Sequence, residues 1–429
     1  MNLVRLNVFN VFIIVIFWVT TAFFSQFAAK LVVFFSFLLL LYKNHLKYLI
    51  ISYFMILLLS DSRLDVLKFA SEIKPFMAII FYLICFLFYQ KRSLNNHVKY
   101  IYPLIFFIII SFFLSSLDLI IFQKSVSYIL TLLLIIPFFS VFQNQENNYF
   151  FKVLIYCFLI ILILGNIIFF YSYETVLLNG RFRGLFGNPN GLGIFIVLFF
   201  FIFNILKNNY PSLFNKKENL LITGILLLNL LLSQSRSCIL SILIFYVFNF
   251  FINYSFILAL ISTILLLIFY AILSTNLFDL IRILNIQNYI RLETLQNASG
   301  RYVAWGFLYE KINFSFLFFG NGIGSTELLF KKNYAILSQL GHEGNAHNSY
   351  LTICFDTGFL GLLSFLYFVI MNFLNSNNFI QNLPILFGLL LSALFESWMS
   401  ASLNPFTILL MLIIALISQS SNKIKVEKQ

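Results

Sequence analysis

The chain has 429 residues, of which 61% are hydrophobic and only 10% are charged, and its formal net charge is +12. Soluble globular domains carry about 25% charged residues, so most of this surface must face something other than water. In a soluble protein the basic excess would suggest nucleic acid as a partner. Here the bases lie in short loops between apolar runs, which favours membrane orientation and excludes nucleic acid.

Apolar runs that could cross a bilayer recur along the whole chain. A spanning helix needs about 20 mostly apolar residues. The runs that approach this length are 8–24, 27–42, 47–60, 75–89, 100–122, 125–142, 150–171, 191–206, 219–233, 237–252, 255–274, 349–373, 382–396 and 402–418. They lack the alternation of barrel strands, and backbone groups in hydrocarbon must be satisfied within each segment. The pattern predicts an all-α polytopic integral membrane protein with about 12–14 transmembrane helices, allowing for boundary errors.

The basic residues also predict an orientation. Lysines concentrate in the loops 43–47, 90–99 and 207–218 and in the tail 422–429. Because positive short loops face the cytoplasm, both termini are expected there. The opposite side then carries several turns and one long loop over residues 275–348, within a single transmembrane domain over 1–429.

Arginine departs from this pattern. Seven of the nine arginines fall on the side opposite the lysines, namely Arg63, Arg181, Arg183, Arg236, Arg282, Arg291 and Arg301. Arginine is suited to bidentate recognition of phosphate and carboxylate. The outer face is therefore expected to bind an anion, with phosphate as the natural candidate.

The first polar motif, RFRGLFGNPNGLG, covers residues 181–193 and contains Arg181 and Arg183. Its glycines and Pro189 interrupt helix. Pro189, followed by Asn190 and an apolar run, predicts a helix start whose free N–H groups could meet an anion. The alternative is a re-entrant turn whose arginines extend to lipid headgroups.

Two further motifs each place an arginine on the same side. Arg236 lies in the polar sequence SQSRS between two apolar runs, where a charge is a functional hypothesis by default. An interfacial anchor for a helix hairpin is an equal alternative. Arg301 precedes a segment, 302–312, whose apolar spacing predicts an amphipathic helix. Trp305 in that helix could simply lie in the aromatic belt.

The long loop ends in two more motifs. The sequence GNGIG at 320–324 lacks the strand and βαβ unit of a dinucleotide site, so we interpret it as a turn. His347 follows, in the sequence HNSY that includes Asn348 and Tyr350. A neutral histidine can act as a general base, although a lone histidine is more often structural. Its spacing from His342 does not indicate a metal site.

In this order, the motifs from Arg181 onwards resemble those of the superfamily of bacterial O-antigen polymerases and O-antigen ligases. The resemblance implies a GT-C-like, multi-helix enzyme that transfers glycans at the periplasmic face of the inner membrane. The donor would be a glycan on undecaprenyl pyrophosphate, with no metal or cofactor at the transfer step. The long loop, 275–348, would then be periplasmic. The first arginine of the family pattern matches Arg181, and Arg183 is an additional basic residue.

A lipid pyrophosphate leaves already charged, so it needs cations more than a general acid. We therefore expect Arg301, Arg236 and either Arg181 or Arg183 to contact the pyrophosphate. His347 would act as the base or orient the acceptor hydroxyl. The remaining candidates, which would shape the site or bind sugar, are Asn190, Asn348 and Tyr350.

The favoured activity is a polymerase that joins lipid-linked repeat units, within the bilayer and beside a flippase and a chain-length regulator. A ligase that transfers the glycan to lipid A–core shares every motif. A glycolipid transporter is a third possibility, in which Asp118 and Glu396 would couple protons.

Overall fold

The computed structural model describes residues 8–43, 45–89, 98–115, 117–143, 148–283, 301–312, 317–340, 342, 344–376, 378–401 and 403–418. Within these ranges the chain forms eighteen α-helices and one two-stranded hairpin, which confirms the all-α prediction. Several residues of the sequence-based argument lie outside the described residues: Arg5, Arg92, Arg291, Ser299, Gly300 and the tail 422–429.

The helices, in chain order, are α1 (Val8–Phe24), α2 (Gln26–Tyr42), α3 (Leu46–Leu59), α4 (Lys68–Tyr89), α5 (Tyr102–Leu114), α6 (Leu119–Gln143), α7 (Asn148–Tyr171), α8 (Tyr173–Val176), α9 (Pro189–Asn209), α10 (Lys216–Ser233), α11 (Arg236–Phe251), α12 (Phe256–Ile283), α13 (Arg301–Lys311), α14 (Ser325–Lys332), α15 (Tyr334–Gln339), α16 (Ser349–Leu374), α17 (Phe379–Phe395) and α18 (Pro405–Ser418). The hairpin strands are β1 (Leu177–Leu178) and β2 (Arg181–Phe182). Short 3₁₀ helices cover Asp65–Leu67 and Val98–Ile101.

The predicted apolar runs correspond to these helices with three main differences, of which the first is that α4 begins at Lys68 and not at residue 75. The run 100–122 is divided between α5 and α6, because Leu117 has a positive φ of 52° and the Asp118 carboxylate accepts a hydrogen bond from the Ile120 N–H at 2.8 Å. The run that ends at residue 274 continues as α12 to Ile283. Among the described residues, five helices are long and apolar enough to cross a membrane, and other apolar helices have 10–17 residues.

Three helices form the centre of the bundle. Every residue of α18 is buried, as is nearly every residue of α3 and α9. α18 packs against α6 and α9, and α9 also packs against α10 and α11. A helix that is apolar all round must be buried in protein or lipid. Peripheral helices instead expose large apolar side chains such as Phe24, Leu231 and Leu265, as contact with lipid requires.

Close packing of α9 against the start of α11 depends on Gly193. A Cβ added at this glycine would lie 2.8 Å from both Ser235 Cβ and Cys238 Sγ. The last glycine of the first polar motif therefore lets two motif-bearing segments approach each other. The loops that carry these motifs meet at one end of the bundle, where Asp61 contacts Gly187 and Arg181 contacts the Ser233 carbonyl.

The glycine-rich sequence at 320–324 is a turn, as its interpretation from the sequence required. It packs into a kink of α16 at Gly358, where φ is 78°. The Asp356 side chain accepts hydrogen bonds from the Gly324 N–H at 2.8 Å and from the Thr326 N–H and hydroxyl at 2.9 and 2.6 Å. It also accepts one from the Ser325 hydroxyl at 2.9 Å. This carboxylate thus caps α14 from another helix.

Candidate functional site

Arg181 is positioned by a tight β-hairpin. Its strand pairs with β1 so that Leu178 lies opposite Arg181. The two turn residues, Asn179 and Gly180, have φ values of 52° and 75°. A two-residue turn of this hand needs positive φ at both positions, which explains the Asn-Gly sequence. The guanidinium then donates to the Ser233 carbonyl from Nε at 3.1 Å and from Nη2 at 2.9 Å.

The predicted helix start after this hairpin is confirmed. α9 begins at Pro189, and the Asn188 side chain accepts a hydrogen bond from the Gly191 N–H at 2.6 Å. Asn190 therefore lies in the first turn, with its amide directed away from the helix. Its Oδ1 accepts from Arg181 Nη2 at 2.9 Å, and its Nδ2 donates to Glu396 Oε1 at 2.7 Å.

Glu396 connects three of the sequence motifs. It ends α17, and its side chain is only 8% exposed. Oε1 accepts from Asn190 and also from Arg301 Nη2 at 3.1 Å, and Oε2 lies 2.9 Å from His347 Nδ1. We call Arg181, Asn190, Arg301, His347 and Glu396 the Glu396 cluster. Its members come from segments far apart in the sequence.

Arg301 is the first residue of α13, so the predicted amphipathic helix over 302–312 is confirmed with nearly the same bounds. The guanidinium stacks over the Phe395 ring at 5.8 Å. Its Nε is buried and has no hydrogen-bond partner within the described part of the chain. Buried N–H groups are almost always paired. This buried Nε is therefore an unsatisfied donor beside the cluster.

His347 is held in an unusual backbone conformation with φ of 46°. Its N–H donates to the Asn345 side chain at 2.9 Å, and the preceding Ala346 carbonyl accepts from the Trp305 indole at 2.9 Å. Trp305 thus does more than anchor an interface. The ring points Nδ1 at Glu396, and a carboxylate acceptor there fixes the proton on Nδ1. Nε2 has no hydrogen-bond partner among the described residues.

The residues after His347 secure the same region. Asn348 caps α16 by accepting from the Leu351 N–H at 3.0 Å, and its own N–H donates to Ser397 Oγ at 2.9 Å. Ser349 Oγ donates to the Glu396 carbonyl at 2.6 Å. The Tyr350 hydroxyl donates to the Leu390 carbonyl at 2.6 Å. In the structure these polar groups therefore join α16 to the Glu396 segment.

An apolar cavity of about 240 Å³ adjoins the first turn of α16. It lies between α11, α12, α16 and α17, and its lining includes Tyr350, Phe387 and Leu394. Tyr350 and Leu394 are close in sequence to His347 and Glu396 respectively. The cavity is thus an apolar space next to the polar cluster.

Besides Asn348 and Tyr350, two expected arginines lie outside the hydrogen-bonded cluster. Arg236 is exposed as the first residue of α11, and no hydrogen bond or ion pair of its side chain is found among the described residues. Arg183 is half-buried and donates to the Thr175 carbonyl at 2.9 Å and to the Gly187 carbonyl at 3.4 Å. Of the two arginines in the first motif, Arg181 is the one joined to Asn190.

Helix starts gather around the cluster. α9, α11, α13 and α16 begin at Pro189, Arg236, Arg301 and Ser349, each within two residues of a candidate side chain. The N-terminus of a helix carries partial positive charge and free N–H groups, which favours anions. Together with two guanidinium groups of the cluster, this arrangement makes the end of the bundle suited to a phosphate group.

Glu396 is the charge that balances these cations. Burial by itself raises the pKa of Glu396, but His347 and then Arg301 outweigh burial and hold the pKa below its ordinary value. The carboxylate is therefore ionised at neutral pH. Nearby, burial and the neighbouring His347 lower the pKa of His342, whose Nε2 lies 3.0 Å from the Asn345 carbonyl oxygen.

The sequence argument missed the role of Glu396, which it considered only as a proton-coupling acid of a transporter. Nothing near Glu396 in the sequence reveals its partners, because all of them come from distant segments. The hairpin before α9 was also missed, although Asn-Gly between apolar residues is its usual signal. Asp118, the other acid of the transporter interpretation, serves as a cap at the start of α6.

The fold and this site define a multi-pass helical membrane protein with a cationic, carboxylate-centred site at one end. Residues 221–366, about a third of the chain, match the family described as O-antigen ligase. This match confirms the resemblance to the superfamily of O-antigen ligases and polymerases, and it indicates a glycosyl-transferring enzyme in general. No curated protein matches the sequence significantly.

Proposed function

We propose that this protein is a polymerase of a surface polysaccharide, which joins repeat units carried on undecaprenyl pyrophosphate. The observation that carries the proposal is the Glu396 cluster, in which one buried carboxylate holds Arg301, His347 and Asn190 at a single point. The reaction needs cations for a pyrophosphate and a base for a hydroxyl. The cluster offers both within one hydrogen-bonded group.

In the proposed reaction, an acceptor hydroxyl oxygen attacks the anomeric carbon of the donor sugar. The bond from that carbon to the pyrophosphate oxygen breaks, and the pyrophosphate departs with the electron pair. His347 Nε2 takes the hydroxyl proton, while Glu396 on Nδ1 orients the ring and stabilises the imidazolium that forms. Arg301, whose Nε is unpaired, stabilises the charge that develops on the leaving oxygen.

The remaining residues have binding roles in this proposal. Arg181, held by the Ser233 carbonyl and Asn190, contacts the pyrophosphate together with Arg301. Arg236, exposed at the start of α11, adds a further cation to the same end. Asn190, Asn348 and Tyr350 shape the site. The apolar cavity beside Tyr350 receives the first part of the polyprenyl chain. No step requires a metal ion, since the arginines supply the positive charge.

The site is proposed to face the periplasm of the inner membrane, with both termini in the cytoplasm. The distribution of lysines supports this orientation. The structure gathers at one end of the bundle the loops that the distribution assigns to the outer side, including Ser233 and the segment from Arg181 to Asn190. A flippase and a chain-length regulator are the expected partners on that side.

A ligase is the second candidate, because the matched family carries that description. The test is an analysis of surface glycans from cells that lack this protein, with core-linked and lipid-linked pools separated. Single repeat units on the core, without long chains, are expected for a polymerase. Long chains left on undecaprenyl pyrophosphate above a bare core would identify a ligase. Unchanged pools would contradict both candidates and return the transporter interpretation.

The arginine roles are tested by complementing the same cells with Arg301→Ala or Arg236→Ala. We expect either variant to abolish glycan assembly while membrane insertion stays normal. Lys68→Gln is the matched control, because Lys68 is an exposed cation whose ion pair among the described residues is with Asp65. Normal assembly with both arginine variants would contradict the proposed site.

A further inference from the structure

A second group of cations lies on the other side of the segment Gly187–Gly191. The Gly187 N–H donates to Asp61 Oδ2 at 3.2 Å, and its carbonyl accepts from Arg183 Nη1 at 3.4 Å. A Cβ added at Gly187 would lie 3.7 Å from Arg63 Nε and 2.8 Å from the Asp61 carbonyl oxygen. Arg63 and Arg183 therefore approach the same glycine, which has room for no side chain.

These two guanidinium groups are available to a ligand. Arg63 is exposed, and neither a hydrogen bond nor an ion pair of its side chain is found within the described part of the chain. Arg183 is half-buried, and its known contacts use one N–H of each terminal nitrogen. Burial and the charge of the neighbouring Arg63 lower the pKa of Arg183.

The charge of this group is not balanced locally. Asp61 is the carboxylate nearest to Gly187, and its surroundings include Lys74, Arg63 and, through Arg63, Arg183. Arg63 and Lys74 thus act on Asp61, Lys74 acts on Glu327 as well, and no ion pair of Arg63 or Arg183 is found among the described residues. Like charges that gather beside one backbone segment repel each other, and an anionic ligand relieves that cost. The Glu396 cluster differs, because its carboxylate makes direct hydrogen bonds to Arg301 and His347.

The segment between the two groups connects them. Asn190 belongs to the Glu396 cluster, whereas a Cβ on the next residue, Gly191, would lie 3.4 Å from Asp61 Oδ2. One short backbone segment therefore has a cationic group on each side. Polymerisation joins two substrates that each carry a lipid pyrophosphate, so two anion sites beside one reaction centre match its requirements.

We infer that Arg63 and Arg183 form a second anion-binding site, which holds the pyrophosphate of the acceptor lipid while the Glu396 cluster holds that of the donor. This inference rests on the proposed function. Since hydrogen bonds to charged groups are strong, loss of one guanidinium should weaken binding at this site about tenfold.

The test measures binding rather than turnover. The full chain is placed in nanodiscs of zwitterionic lipid, and undecaprenyl pyrophosphate bound per chain is counted by native mass spectrometry. We expect two molecules for the wild type and for Lys68→Gln. One bound molecule should remain in the single variant Arg63→Gln and in the double variant that also carries Arg183→Gln. One should likewise remain in Arg301→Ala. Because Arg63 is exposed and has no hydrogen bond or ion pair among the described residues, its single variant should fold normally, which thermal unfolding checks.

The outcomes separate the two proposals. A single molecule on the wild type, lost in Arg301→Ala and kept in both arginine-to-glutamine variants, would overturn the second site and leave the proposed function intact. If neither Arg301→Ala nor the arginine-to-glutamine variants lose a bound molecule, both the second site and the proposed function are contradicted. A parallel series uses nanodiscs that contain phosphatidylglycerol. If that lipid alone displaces the second molecule, the site binds lipid headgroups and the assignment to the acceptor is overturned.

Discussion

The two most buried carboxylate sites of this end of the protein have opposite kinds of partners. Asp356 is 2% exposed and receives hydrogen bonds from neutral backbone N–H groups and hydroxyls of residues 324–326. Glu396 is 6% exposed and receives its hydrogen bonds from Arg301, Asn190 and His347. Burial alone therefore does not distinguish a structural carboxylate from a functional one.

The difference lies in what each carboxylate holds. Asp356 holds the glycine turn against the kink of α16, and the geometry leaves no donor pointing elsewhere. Glu396 holds side chains that keep unused capacity, since Arg301 Nε is unpaired and His347 presents its second ring nitrogen. Perturbed, cation-bound carboxylates are candidates for function, whereas fully satisfied ones stabilise a fold.

The largest expected effect is that of His347→Ala, because it removes the proposed base. General-base catalysis contributes about 10²- to 10⁴-fold in rate. We expect glycan transfer to fall within that range, measured with purified protein and lipid-linked repeat units. A moderate drop in the unfolding temperature is also expected, because the buried Glu396 carboxylate loses His347 and keeps its hydrogen bonds from Arg301 and Asn190. If the His347→Ala enzyme stays active, His347 is not the base, and Glu396 has a structural role like that of Asp356.

Glu396→Gln sharpens the comparison by keeping shape while removing charge. The glutamine amide would donate to His347 Nδ1, so the ring proton would move to Nε2 and the base would be lost. We expect a loss of activity of about 10²-fold with the protein still folded. The matched control is Asp356→Asn, which should alter stability more than activity. Equal activity losses in Glu396→Gln and Asp356→Asn would show that the two carboxylates do not differ as functional and structural groups.

Asp356→Ala should lower the stability of the fold and leave catalysis largely intact. Four hydrogen bonds lose their acceptor, and their buried donors remain unpaired. The expected cost is on the order of 3 kcal/mol. Thermal unfolding in detergent measures it, while the folded fraction should retain most of its transfer rate. Ser338→Ala, which removes an exposed hydroxyl bonded only to Ala335, is the control.

The sequence was sufficient to predict the helices, because an apolar run of this length in a bilayer must satisfy its backbone hydrogen bonds internally and therefore forms a helix. It also predicted that Arg301, Arg236, His347 and either Arg181 or Arg183 would share a site, and of these Arg236 and Arg183 lie outside the hydrogen-bonded cluster. The structure brings Arg181, Arg301 and His347 together around Glu396. Their roles in binding and catalysis remain predictions.

What the sequence could not supply were the long-range partners. Glu396 joins residues that lie 49, 95 and 206 positions away. No local periodicity encodes such contacts. Asp61 and Arg63 were likewise not assigned to a site, because their relation to Gly187 depends on how the turn after α3 meets the loop before α9. The break between α5 and α6 was expected between residues 122 and 125 but lies between Leu114 and Leu119, because Leu117 has a positive φ within the apolar run.

The smallest expected effect concerns Asp61, a carboxylate of intermediate character. It accepts one neutral hydrogen bond, from Gly187, and makes no ion pair within the described part of the chain. Burial raises the pKa of Asp61 to about 6, although Gly187, Lys74 and Arg63 act in the opposite direction. A carboxyl group whose pKa is raised on folding stabilises the folded state most below its unfolded pKa of 3.8. This stabilisation is lost as the pH rises through about 6.

Asp61→Asn keeps an acceptor for Gly187 and removes this titration. The variant should therefore melt slightly higher than the wild type at pH 7.5, and the difference should shrink as pH falls below 6. Glu396 changes stability with pH in the opposite direction. Because its pKa is lowered on folding, its stabilisation of the fold is present at neutral pH and is lost only at acidic pH. Melting curves of the wild type and the variant across pH 4–8 measure both. A pH-independent difference would show that Asp61 is ionised throughout, held by Arg63 as Glu396 is by Arg301.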